Sequence, residues 1–205
     1  TGRDLDGVDY LSREIGCQHK SSILAFDNSV YWVDAKRGLI CRHSQSGREE
    51  ISESQMTHDF VSKSLDYFDN NLPALINTGD RNIISGINPE TRDVFFTFQG
   101  EQIAYGPPKS NLTKTLGFSE KLNVFHGFYQ MYPSLYFSFG KMLLLVNPNE
   151  RNNIHIHNRG LYGHYFGQFK KTVFVFYMND ASDYEKILDY IKIQVDAQGQ
   201  RRIGK

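Results

Sequence analysis

The sequence predicts an all-β fold, mainly antiparallel, built of propeller-like β-blades with one packed amphipathic helix. Three observations carry this. Aromatic residues make up 14% of the chain, and they suit a pleated, half-buried surface. Short runs of β-branched and aromatic residues are bounded repeatedly by Gly, Asn, Asp and Pro, the residues of tight turns. Only one stretch has its apolar residues at helical spacing.

The chain has 205 residues, 40% of them hydrophobic and 22% charged, which fits a folded protein with a real core. Basic and acidic residues balance at 23 each, so no global field draws the chain onto nucleic acid or an anionic membrane. The apolar runs, such as Met142 to Val146, are strand length and far from the roughly 20 residues of a membrane-spanning helix. The first residues, TGRDLDGVDYLSREIG, lack the apolar region of a signal peptide. They also lack an initiator methionine, and the chain ends in the basic QGQRRIGK. Together these read as a processed or excised piece of a longer chain, with an expression boundary as the plainer alternative. The two cysteines, Cys17 and Cys41, form no framework and read as free, part-buried thiols, with a pair between them left open.

Residues 1–16 carry little pattern and read as an irregular lead-in. Residues 17–111 read as propeller-like meanders with an inserted helix. Ile23 to Phe26, Val30 to Val33 and Leu39 to Arg42 are short strands. The turn Asp27-Asn28-Ser29 joins the first two. The connection Asp34 to Gly38 joins the next two, with Gly38 free to take a positive φ. Three strands so joined make a meander, the unit of propellers and of many sandwiches.

The helix is expected at about 58–71. Phe60, Val61, Leu65, Phe68 and Leu72 form its apolar stripe, and Lys63, Asp66 and Asp69 lie between them. Thr57 is the expected N-cap, Asp59 sits in the first turn, and Asn70-Asn71 and Pro73 end it. A plug packed on the sheets is favoured over a docking helix. Arg81 to Ile87 and Val94 to Phe98 follow as strands around an Asn88-Pro89 turn, and the second can be aligned with Val30 to Val33. Gly100 to Asn111 is a loop.

Residues 112–205 read as aromatic-rich blades completing the same module. Thr115 to Asn149 reads as one blade: strands at Thr115 to Phe118, Val124 to Tyr129 and Leu135 to Val146, the last broken at Gly140-Lys141, with turns at Gly127 and Pro133. After Asn153 to Asn158 and a Gly/aromatic segment, Thr172 to Met178 is almost wholly apolar, as in a strand buried on both faces. Ile191, Ile193 and Val195 alternate with Lys192 and Gln194, as in a strand with one wet face. Strand groups therefore begin near residues 22, 82, 115 and 153, too irregularly for a simple repeat array.

No constellation points firmly to chemistry. His155, His157 and His164 offer three imidazoles such as zinc uses, but no nearby cysteine or carboxylate completes a known spacing, so no metal is expected. Asp27, Asp34 and Asp93 stand at strand ends, where Asp is ordinary turn chemistry and only secondarily a glycosidase pair. Ser119-Glu120-Lys121 lacks the glycines of a nucleophile elbow. Gly163 and Gly167 do not lead from a strand into a helix, so they make no phosphate loop. Tyr162, Tyr165 and Phe166 with Lys170-Lys171 suit base stacking on a single strand, and suit core or subunit packing better. Asn111-Leu112-Thr113 matches a glycosylation sequon and reads as chance. No catalytic, cofactor-binding or metal residue is assigned and no cofactor is expected.

Several segments in order resemble one family: SVYWVDAKRGLICR, HDFVSKSLDYFDNN, GINPETRDVFFTF, KTLGFSEKLNVFHGFYQMYPSLYFSFG and IHNRGLYGHYFGQFKKTVFVFYMND. The most specific are TLGFSEKLNVFHGFYQMYP and the pattern HN…YFG…VFVFYMN. From Gly16 to Val195 the chain resembles the muzzle, or tail stabilization, proteins of crAss-like bacteriophages of gut Bacteroidales, departing from the expected pattern at Ile156. The resemblance implies a non-enzymatic component of the virion tail that seals it like a nozzle. It implies other tail subunits, and other copies or fragments of the same protein, as partners. It implies no small-molecule substrate, no membrane span and at most indirect contact with DNA. A propeller-fold carbohydrate-binding module or glycosidase is the alternative. With about four strand groups, against the four to eight four-stranded blades of a propeller, the chain is expected not to close its own fold. Another polypeptide, a neighbouring subunit or a fragment of the same precursor, is expected to complete the sheets.

Overall fold

The computed structural model describes residues 14–54, 61, 83–99, 114–150, 153–161 and 163–170. All of these lie within one compact unit, Thr1–Lys171. The described residues are almost wholly antiparallel β-structure. The first sheet is a four-stranded meander of β1 (Leu24–Phe26), β2 (Ser29–Asp34), β3 (Leu39–Ser44) and β4 (Gly47–Glu50). The second is another, of β5 (Ile83–Asn88), β6 (Asp93–Phe98), β7 (Lys114–Ser119) and β8 (Val124–Tyr129). The third joins β9 (Leu135–Phe139), β10 (Met142–Val146) and β11 (Ile154–Ile156), with β10 central. A small hairpin, β12 (His164–Tyr165) and β13 (Gln168–Phe169), follows.

The turns show why meanders form. Asp34 pairs with Leu39, Asn88 with Asp93 and Ser119 with Val124, so each connection has the same length. Each ends on a residue in the left-handed region: Gly38 at φ 71°, Arg92 at 63° and Asn123 at 55°. Glycine adopts that conformation without steric cost and asparagine tolerates it. Arg92 needs outside support, described below.

Strand alternation then sorts the side chains into layers. Tyr31, Val33 and Ile40 of the first sheet face Ile83, Ile87, Val94, Phe96, Phe98, Leu116 and Phe118 of the second, and all are buried. The opposite face of the second sheet turns Ile84 and Phe95 toward Tyr136, Leu143 and Leu145 of the third. The second sheet is thus covered on both faces, which is why DVFFTF reads as an unbroken apolar run. Trp32, Leu39 and Cys41, on the outer face of the first sheet, are covered in part by Ile15 and Cys17. Both thiols are free, and burial pushes that of Cys41 up to about 12.

Three expectations change. Thr115 to Asn149 is not one blade: β7 and β8 complete the sheet begun by β5 and β6, and β9 starts the next. The six-residue register of β6 on β7, from Asp93↔Ser119 to Phe98↔Lys114, outweighs proximity in sequence. Gly127 does not turn the chain but lies inside β8 beside a β-bulge. The fourth strand of the first sheet, GREE, was hidden by its polarity, which suits an edge strand because charge discourages edge-to-edge pairing. Val30 to Val33 and Val94 to Phe98, aligned by pattern, do hold the same second position in their sheets.

The helix expected at about 58–71 lies outside the described residues except for Val61, which is helical and fully buried. The described α1 is the short Ile51–Ser54. The strands expected at 172–178 and 186–195, the loop at 100–111 and the sequon at 111–113 also lie outside them. The described sheets stack face to face in chain order and do not form a closed barrel or propeller.

Candidate functional site

The most distinctive surface is the outer face of the third sheet. In β9 Tyr136 and Ser138 turn toward the second sheet and Tyr136 is buried, so Leu135, Phe137 and Phe139 point outward. In β10, Leu143 and Leu145 turn inward, and Met142, Leu144 and Val146 share the outer face with Ile154 and Ile156 of β11. Register joins them into rows: Phe139 beside Met142; Phe137, Leu144 and Ile156 together; Leu135, Val146 and Ile154 together. Phe139 is 69% exposed, Ile154 61% and Leu135 53%. Scattered exposed apolar residues are normal, but an uninterrupted apolar sheet face marks an interaction surface.

Behind this face, polar contacts hold the stack. Between the first two sheets, Arg92 hydrogen-bonds Asp27 Oδ2 and Glu120 Oε2, both at 2.7 Å, and its guanidinium lies 5.3 Å from the Phe26 ring. The Tyr31 hydroxyl donates to Glu120 Oε1 at 2.9 Å, and burial pushes its pKa up to about 12. Arg92 therefore joins the β1–β2, β5–β6 and β7–β8 turns, and these bonds support its left-handed backbone.

Between the second and third sheets, Tyr136 OH meets Thr97 Oγ1 at 2.6 Å, and Thr97 Oγ1 meets Thr115 Oγ1 at 2.7 Å. Ser138 Oγ donates to Ile87 O at 2.7 Å, and Gln99 Nε2 donates to Pro133 O at 2.9 Å. Every buried hydroxyl in this chain of contacts has a partner, as low-dielectric interiors demand. Close approach of the sheets requires Gly86: a Cβ there would stand 2.4 Å from Cβ and Cγ of Tyr136.

The β8 bulge inserts His126 where the register slips between Gly117 and Phe118. Its Nδ1 is hydrogen-bonded to Tyr129 OH at 3.0 Å, and its Nε2 lies 3.6 Å from Asp93 Oδ1. Bulges re-aim side chains in this way. Nothing in the linear sequence marks the bulge apart from Gly117 and Gly127.

The candidate residues from the sequence scatter. His155 Nε2 meets Glu150 Oε2 at 3.2 Å, and Asn153 and His155 together hold the Glu150 carboxyl below its usual range. Glu150 is thus a nearby carboxylate that spacing did not reveal. His157 is buried against Phe95, and His164 tilts over Phe169. Among the described residues no three His, Cys, Asp or Glu side chains gather as a metal site. Asp27 is held by Arg92, while Asp34 accepts bonds from the Gly16 and Arg37 amides and from Gln18 Nε2. Asp93 serves His126.

Ser119 is buried at the end of β7, and Glu120 belongs to the Arg92 cluster. Gly163 and Gly167 shape the terminal hairpin, both at positive φ. Tyr165 and Phe166 pack on the inner core and so form no open stacking platform, and Lys170 donates to Gln168. Tyr162 and Lys171 lie outside the described residues.

The fold and surface define an antiparallel β protein of stacked meander sheets with an apolar outer face. The family model of the Crassvirus muzzle protein matches residues 1–149. The chain belongs to that family, whose place is the virion tail. No curated protein matches it. Among the described residues no helix is long and apolar enough to cross a membrane.

Proposed function

We propose that this chain is a structural, non-enzymatic part of the phage tail, acting by rigid packing to seal or stabilise it as a muzzle. The observation that carries this is the apolar outer face of the third sheet. Its occupant is an apolar β-sheet of a neighbouring tail subunit. Two arguments support that choice. The chain already buries two pairs of sheet faces with the same alternating apolar pattern, and its family belongs to a many-component virion. The stacked meanders act as blades of an open, propeller-like array that the neighbour extends. A formal net charge of zero suits subunit packing better than a grip on DNA, so DNA contact is at most indirect. The glycosidase alternative gains nothing from Asp27 and Asp34, each engaged by its own fold partners.

The test is a double variant, Phe139→Asp with Ile154→Asp. Both side chains are exposed, so the isolated chain should keep its melting temperature within a few degrees. Incorporation into tails, measured by quantifying the chain in purified particles, should fall at least about tenfold, since a buried unpaired charge is costly. Normal incorporation would refute the assignment.

A further inference from the structure

We propose that the joint between the second and third sheets is acid-sensitive, and that protonation of His157 releases the β9–β11 sheet from the sheet beneath it. His157 directly follows β11, and its backbone amide donates to Leu143 O at 2.8 Å, which fixes the ring over the joint. His157 is 8% exposed. It stands edge-on to Phe95 with centroids 5.0 Å apart, and 6.5 Å from Tyr129. This setting accepts a neutral imidazole and disfavours a cation, because a buried charge loses its hydration.

Among the described residues the titratable groups around it are few. The second sheet supplies Asp93, His126 and Tyr129. Among the described residues Asp93 is the anion acting on His157, and it also lies 3.6 Å from His126. The third sheet supplies Tyr136, whose hydroxyl is turned to Thr97. The terminal hairpin supplies Tyr165, in the same core. Burial outweighs the opposing pull of Asp93 and lowers the His157 pKa from 6.5 to about 4.

The direction follows from linkage. Opening the joint returns His157 to water and to a pKa near 6.5, so protons bind the open form better. Above that value the joint is fully stabilised. As pH falls toward about 4, opening becomes progressively easier, by roughly 30-fold at pH 5 for the two pKa values given. A second buried histidine, His19, lies three residues before Ser22, which bonds Val33 of the first sheet and Ser85 of the second, so substitution of His157, rather than the pH response alone, assigns the effect to its joint.

Hydrogen exchange on the full chain tests this, with rates corrected for intrinsic pH dependence. Between pH 7.5 and pH 5 the opening constant of the β9–β10 amides should rise about 30-fold. In His157→Phe and His157→Gln the β9–β10 rise should disappear. No rise in the wild type, or an undiminished rise in a folded variant, would overturn the proposal.

Discussion

Gly86→Ala should destabilise the protein by about 3 kcal/mol or more, at the upper end of the usual cost of overpacking. The new methyl would meet Tyr136 Cβ and Cγ at 2.4 Å. Those atoms are the root of the side chain, and its far end is tied to Thr97 at 2.6 Å, so the ring has no free direction in which to swing. Relief requires moving β9 away from β5. That stretches the Ser138–Ile87 bond and opens the core of Phe95, Leu143 and Leu145. Urea denaturation measures the loss. A midpoint equal to that of the wild type would mean that the sheets are not in contact at Gly86.

Phe96→Ala should cost about 3–5 kcal/mol. Phe96 is fully buried between the first and second sheets, with its ring edge-on to Tyr31 at 6.5 Å. The hole cannot close easily, because Tyr31 is anchored at its hydroxyl by Glu120, which Arg92 holds in turn. The same denaturation series measures this. A cost below about 1 kcal/mol would place Phe96 on a surface rather than between two sheets.

Much of this was legible in the sequence because turn chemistry and alternation are local. Gly38, Asn88-Pro89 and Gly140-Lys141 mark turns, and Val30 to Val33 announces a strand by composition. The muzzle family was legible too, in the Thr115 to Pro133 segment. What stayed hidden depends on partners distant in the chain. Register assigns Thr115 to Phe118 to the sheet of Phe95 and Phe96. The left-handed turn at Arg92 depends on Asp27 and Glu120. GREE becomes a strand only because β3 offers it an edge. The candidate surface was visible as apolar residues, but alternation alone could not tell its exposed face from a covered one. Leu143 and Leu144 look alike until the second sheet is in place.

The central claim is that the outer face of the third sheet is covered by another subunit in the tail. Hydroxyl-radical footprinting of the isolated chain and of intact particles tests it most directly. Leu135, Phe137, Phe139 and Ile154 should be oxidised readily in the isolated chain and strongly protected in particles, while Leu122, exposed on the β7–β8 turn, serves as a comparison outside that face. Equal oxidation of the four residues in both states would contradict the account.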